Sequence, residues 1–270
     1  MGEDGPRGRA AQRALANPAE QKKGGGISGP PRAMTTKPAD SDPRFHGRRR
    51  GRKLRPGRER LLETVLPELS IVLPEGDGPV DPRIWFPAAP QKVWLEIGFG
   101  AGEHLAWQAA ENPDIGMVGA EPYLNGVARL LSEIVERDLQ NIRLLPDDVR
   151  PLLDRLSPES LARVFVLFPD PWPKLRHHQR RIVNTPMLDA LARVMEDGAE
   201  LRMATDDQSY LVWMLRHLEA HPAFDWMADR MADWNTRPED WPDTRYEGKN
   251  RSGGPGATFL RYRRVPRNGG

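Results

Sequence analysis

The chain has no cysteine, which excludes disulfides, thiolate zinc sites and cysteine nucleophiles together. It has no apolar run approaching the ~18 to 20 residues that a bilayer span requires. Its N-terminus carries arginines without the hydrophobic segment of a secretory signal. A cytoplasmic protein with no membrane partner is expected. Serine and histidine form no recognisable nucleophile motif. His217 and His221 stand four apart on an expected helix but have no third ligand in view, so no metal site is expected either.

What remains is a chain of 270 residues whose 38% apolar content suffices for a core, in one large α/β domain or two small ones. Its net charge of +2 conceals an asymmetry. Residues 1 to 60 carry 16 Lys and Arg against 6 Asp and Glu, whereas the remainder carries 24 against 32. A basic arm on an acidic body points to a polyanionic partner for the arm.

Residues 1 to about 43 are rich in Gly, Pro, Ala and Arg without apolar periodicity and are expected to be disordered. Met34 is an alternative start within them. Arg44 to Arg58 is the densest positive run, whose glycines and arginines can order on nucleic acid, and residues 1–58 are expected to form a disordered basic extension. Residues 59–91 read as a connecting segment, with a short helix at Arg60 to Leu66 and irregular chain from Pro67 to Pro90. From Lys92 strands alternate with helices, the signature of a mostly parallel sheet wrapped on both faces. Strands are expected near 93–97, 116–120, 142–145, 163–168, 199–204 and 257–263. Helices are expected near 102–111, 123–138, 149–155, 184–195 and 207–220. Asp233 to Gly256 reads as a long, functional loop.

Trp94 to Gly102 runs a strand into Gly98, Gly100 and Gly102 ahead of a helix, so a ligand meets the backbone closely there. A dinucleotide loop needs a third glycine where Glu103 stands, and the Lys-Ser/Thr of a Walker loop is absent. Glu96, just before the glycines, repels pyrophosphate but suits a ligand carrying an ammonium and a sulfonium, such as S-adenosylmethionine. Glu121 ends the second strand and can accept a ribose's hydroxyls. Asp148 follows the third strand, where it can hold an adenine amino group; Asp147 or Asp148 can equally cap the next helix.

The fourth strand ends in Phe168-Pro-Asp-Pro-Trp-Pro-Lys-Leu-Arg-His-His-Gln-Arg-Arg181. Pro169, Pro171 and Pro173 forbid both ladder bonding and helix, so Asp170 sits on a stiff loop beyond a strand end. The basic run that follows suits a polyphosphate backbone. The glycine loop resembles motif I of the class I methyltransferases. Phe168 to Arg181, with Ala204-Thr-Asp206 and Thr244-Arg-Tyr-Glu247, looks like the signature of the tRNA guanine-N(7) methyltransferases. That resemblance spans roughly Asp42 to Arg264, and it implies a seven-stranded Rossmann-like methyltransferase domain at 92–264 with a tail at 265–270. It implies donor binding by Glu96, Gly98, Gly100, Gly102, Glu121, Asp148 and Asp170, with Asp170 as the catalytic residue. It implies substrate contacts from Lys174, Asp206, Thr244, Arg245, Tyr246 and Glu247, and RNA contacts from Arg176, His177, His178, Gln179, Arg180 and Arg181. Pro173 departs from the family, many of whose members carry His there. The expected reaction is methyl transfer from S-adenosylmethionine to the seventh nitrogen of guanine in tRNA, with no obligatory protein partner. The alternatives are a methyltransferase acting on another RNA or on a basic protein, and an inactive RNA-binding scaffold of the same fold.

Overall fold

Short apolar segments separated by helix-length stretches pair side by side in parallel, because each crossover helix returns the chain to the same end of the sheet. In the computed structural model, which describes residues 47–242 and 256–267, this produces β1 (Lys92–Ile97), β2 (Ile115–Ala120), β3 (Ile142–Leu145), β4 (Leu161–Leu167), β5 (Met195–Thr205), β6 (Phe224–Trp226) and β7 (Thr258–Arg264). They form one sheet among the described residues, in the order β3-β2-β1-β4-β5-β7-β6. β1 to β5 run parallel, and β7 lies antiparallel between β5 and β6. This is the class I methyltransferase fold expected from the sequence, and the six expected strands are all present. The strand that the sequence did not reveal is β6, three residues long.

The helices are α1 (Pro56–Thr64), α2 (Leu66–Leu69), α3 (Glu103–Glu111), α4 (Leu124–Arg137), α5 (Arg150–Arg155), α6 (Thr185–Val194), α7 (Gln208–Glu219) and α8 (Ala232–Asn235). Two apolar layers flank the sheet. On one face Leu105 of α3, with Val127, Leu130 and Leu131 of α4, packs on Trp94, Met117, Ile142 and Phe165. On the other, Leu152 of α5, Leu188 and Leu191 of α6, and Tyr210 and Met214 of α7 cover Leu95, Val164, Leu201 and Leu260. The five strands from β3 to β5 are buried on both faces at their centres, which is why they read as near-continuous apolar runs. No described helix is long and apolar enough to cross a membrane.

Residues 1–46 and Thr244 to Glu247 lie outside the described residues, and the expectations made for them with them. Within the expected basic extension, Arg49 to Arg52 is docked. The Leu124 N–H donates to Arg49 O, and the Asn125 side chain bonds both Gly51 N and Arg52 O. Pro56 then begins α1, its missing N–H suiting the first helical turn. The connection that follows is less irregular than expected, since Ile71 N donates to Leu144 O and Val80 N to Arg155 O.

Candidate active site

Strand register decides which side chains share an end of the sheet. Ile97 lies opposite Ala120 and Val166, Ala120 opposite Leu145, and Leu167 opposite Ala204. Gly98, Glu121, Asp148, Asp170 and Asp206, all named from the sequence, therefore leave along one carboxyl edge, where open α/β sheets bind ligands.

The glycine turn forms the centre. Gly98, Gly100 and Gly102 all have positive φ. At Gly102 the constraint is double: φ is 78°, and an added Cβ would stand 2.6 Å from the Leu130 side chain. α4 presses equally close from the other side, since a Cβ on Gly126 would lie 2.0 Å from Gly100 O. At Gly98 and Gly100, by contrast, an added Cβ meets nothing within 4 Å. The turn thus lies against the protein at Gly102 and exposes backbone to open space before it, a cradle for a ligand.

The acids around that cradle feel one another. Glu121 accepts from Gly100 N through one oxygen and from Tyr123 N through the other, both at 2.8 Å. Burial pushes its carboxyl above the usual range, against those two bonds, and the nearby charges of Asp170 and Glu96 push it further. Asp170 remains accessible at the mouth of the site, yet enough protein surrounds it that desolvation raises its carboxyl too. Glu96, 2% exposed, bonds His104 Nδ1 at 2.7 Å. Such a concentration of carboxylates fits a ligand that brings positive charge and is ill suited to a phosphate. Asp148 sits farther along the edge, where it accepts from Arg150 N at 3.0 Å and pairs with the Arg150 guanidinium at 2.6 Å; the N-cap of α5 is Val149, without a side-chain cap, and not Asp147 or Asp148 as the sequence allowed. Asp147 pairs with Arg49 of the docked arm.

On both sides of Asp170 the chain is held under tension. Phe168 (φ 47°) and Trp172 (φ 44°) occupy the left-handed region that bulky side chains avoid. The prolines leave few alternatives, and Phe168 N is tied to Ala204 O at 2.8 Å. Arg181, expected among the RNA contacts, instead turns inward and is 1% exposed. Its Nε donates to Pro171 O at 2.8 Å, its guanidinium also reaches the Ser209 hydroxyl at 2.6 Å, and it lies over the rings of Tyr210 and Trp213. It is the latch of the Asp170 loop. His178 likewise turns its ring toward Trp213. The outward set consists of exposed Lys174, Arg176 and Gln179, with half-buried His177 and Arg180 flanking Trp172: the Arg180 guanidinium lies 5.0 Å from the indole. Asp206 is half-buried at the end of β5, next to Asp207, which caps α7 through Tyr210 N.

The sequence reading missed two groups. His104 and Gln108, four apart on α3, are buried polar residues among Leu105, Ala106 and Ala109; that spacing was the available signal. Glu200 gathers Arg261 at 2.5 Å, Arg202 at 2.9 Å and Arg163 at 3.2 Å, and Arg202 also pairs with Asp240 at 2.8 Å. His217 and His221 face a backbone carbonyl and Asp189, and the described residues hold no metal-binding cluster.

Comparison with known proteins agrees with this geometry. Residues 90–260 match the family described as "Putative methyltransferase". The chain is 50% identical to a tRNA (guanine-N(7)-)-methyltransferase of Rhodospirillum rubrum, over 87% of this chain and 92% of that protein. It is 52% identical to the enzyme of that name from Paramagnetospirillum magneticum, over 83% and 94%, and 43% identical to that of Rhizobium meliloti, over 85% and 99%. The chain belongs to the tRNA (guanine-N(7)-)-methyltransferase family.

Proposed function

We propose that this protein transfers a methyl group from S-adenosylmethionine to the seventh nitrogen of guanine in tRNA, in the cytoplasm. The observation that carries the reading is the position of Asp170, an accessible carboxylate on a strained loop between the acidic glycine cradle and the outward basic turn. The donor supplies a methyl on a sulfonium, and its sulfur keeps the bonding pair when the guanine lone pair takes that methyl.

The residues that receive this chemistry follow from charge. Glu96 and Asp170 face the donor's positive groups, Glu121 accepts the ribose hydroxyls through lone pairs left by its two backbone bonds, and Asp148 stands toward the adenine end. Gly98, Gly100 and Gly102 let the backbone approach. Guanine's seventh nitrogen has no proton to lose, so no general base is required and catalysis is chiefly positioning. The methylated base is cationic, and Asp170 with Asp206 stabilises the charge that develops on it. Lys174, with Thr244, Arg245, Tyr246 and Glu247, holds the guanosine region. Arg176, His177, Gln179 and Arg180 continue onto the RNA backbone, joined by exposed Arg48, Arg50, Arg52 and Arg55 of the arm. His178 and Arg181 support that surface from beneath.

Purified protein, unmodified tRNA transcript and methyl-labelled S-adenosylmethionine should yield labelled 7-methylguanosine on nucleoside mass spectrometry. Label on a different nucleoside, or none with donor bound, would sink the proposal.

A further inference from the structure

Glu96 does not face the cradle alone. It begins a chain of buried polar contacts that runs through α3 to the start of the long loop. His104 Nδ1 lies 2.7 Å from Glu96 Oε2. Gln108 Nε2 lies 3.2 Å from His104 Nε2 and donates to Asp240 O at 2.9 Å. Next to Asp240, buried Trp241 packs its ring 5.2 Å from that of His104 and 5.2 Å from that of Phe259, in a cluster that includes Phe168. The chain then continues from Pro242 into the segment that carries Thr244 to Glu247.

The hydrogen count along this chain fixes each member. A Gln amide nitrogen has two hydrogens. One goes to Asp240 O, so the other is aimed at His104 Nε2, which must accept. The imidazole proton then sits on Nδ1 and is donated to Glu96. Rotating the Gln108 amide by half a turn would set its oxygen against the Asp240 carbonyl oxygen. Docked Asp240 thus holds the amide, the amide holds the His104 ring with its Nδ1 toward Glu96, and the ring holds the Glu96 carboxylate in a fixed orientation. Were Asp240 to leave, the amide would lose the acceptor that fixes its orientation, and with it the hold on the His104 ring that orients Glu96.

We propose that Gln108 and His104 are positioning residues that couple donor binding at Glu96 to the docking of Asp240 and Trp241. Bound donor favours the docked root, and the docked root strengthens donor binding, as reciprocal linkage requires. This rests on the donor-site reading of Glu96 given above.

The test uses the full chain, with S-adenosylhomocysteine as the probe. Hydrogen exchange of the backbone amides between Thr236 and Trp241 should slow when the probe binds wild-type protein. Gln108→Glu sets carboxylate oxygens against His104 Nε2 and Asp240 O and removes both donors, so the ring that orients Glu96 loses its hold; donor affinity should fall about tenfold, the worth of one charge-assisted bond. Its KM for the donor should rise while kcat at saturation stays within about twofold, and the exchange response should vanish. Gln108→Leu, which keeps the volume and removes both donors, should also lose the exchange response; it serves if the first variant does not fold. Wild-type probe binding without slowed exchange in this segment overturns the inference, as does wild-type affinity in a folded Gln108→Glu. Failure of wild-type protein to bind the probe overturns the donor-site reading first, and this inference with it.

Discussion

On the β1–β2 side of the sheet edge, Glu96, Glu121 and nearby Asp170 have no Lys or Arg paired with them among the described residues; burial raises the Glu121 and Asp170 carboxyls above the ordinary range, and the charges of Asp170 and Glu96 add to the rise at Glu121. On β4, β5 and β7 the charges are denser but matched. Although burial works the other way, Arg202, Arg261 and Arg163 hold the Glu200 carboxyl below its usual value, and Arg202 pairs with Asp240 as well. The first group stores an unmet demand for positive charge; the second has met its demand internally. Charge by itself marks neither function nor structure, and the state of pairing separates them. The same division runs through the basic signature, where Arg181 is matched inside the protein and Arg176 is left outside.

The sharpest break in this comparison is Asp170→Asn, which removes charge from the unmatched group while preserving shape. Loss of one preorganised transition-state stabiliser costs about 10² to 10³ in rate. Single-turnover formation of 7-methylguanosine should fall by that factor with the melting temperature unchanged or raised, since a desolvated charge has been removed. Near-normal turnover would mean that Asp170 is only a loop residue. Arg202→Met works on the matched group and should do the reverse. It takes one of three arginines from buried Glu200 and leaves half-exposed Asp240 without its 2.8 Å partner, at a cost of about 3 kcal/mol, or about 10 °C in melting temperature. A loss under about 1 kcal/mol would mean that Arg163 and Arg261 suffice by themselves.

The basic signature allows the comparison between neighbours. Arg181→Met should lower stability by about 1 to 3 kcal/mol, through lost bonds to Pro171 and Ser209, and should leave the salt dependence of tRNA binding unaltered. Arg176→Ala should leave the melt untouched, weaken tRNA at every sequence, and reduce the slope of log affinity against log salt by about 0.7 to 0.9. Exchange of these two phenotypes would invert the assignment of inside and outside.

These assignments show how far the sequence could be read. Alternating apolar runs from Lys92 onward were legible because buried parallel strands admit no polar face, and the glycine spacing excluded pyrophosphate before any coordinates. β6 was illegible because Phe-Asp-Trp is too short to show a period. Arg181 was illegible because a basic run reports charge and says nothing of direction; only the bond to Pro171 O and the rings of Tyr210 and Trp213 turn it inward. The Glu200 network is hidden more deeply, since Arg163, Arg202 and Arg261 meet only through strand register. His104 and Gln108 lay in between: polar residues four apart on a helix announce a shared face, but their meaning depends on Asp240, 132 positions beyond Gln108.

The smallest expected effect is the one that most directly measures unmet charge. Glu121 and Asp170 both have carboxyls raised in the folded protein, Glu121 by burial and then by Asp170 and Glu96, and Asp170 by burial. The folded chain therefore binds these protons more tightly than the unfolded chain does. Their favourable contribution to stability is complete below the unfolded values near pH 4 and is lost as pH rises through the raised folded values. A cationic donor reverses the sign, because it favours the ionised carboxylates and expels the protons on binding. Affinity for S-adenosylmethionine should thus climb about two- to tenfold as pH rises from the unfolded carboxylate values near 4 through the raised folded values, while the ligand-free protein loses stability over the same interval. Calorimetry in two buffers of different ionisation heat would detect the released protons. Glu121→Gln should flatten part of both curves. An affinity that is level across this interval would mean that the carboxylates are compensated after all, and the contrast between the two sides of the edge would disappear.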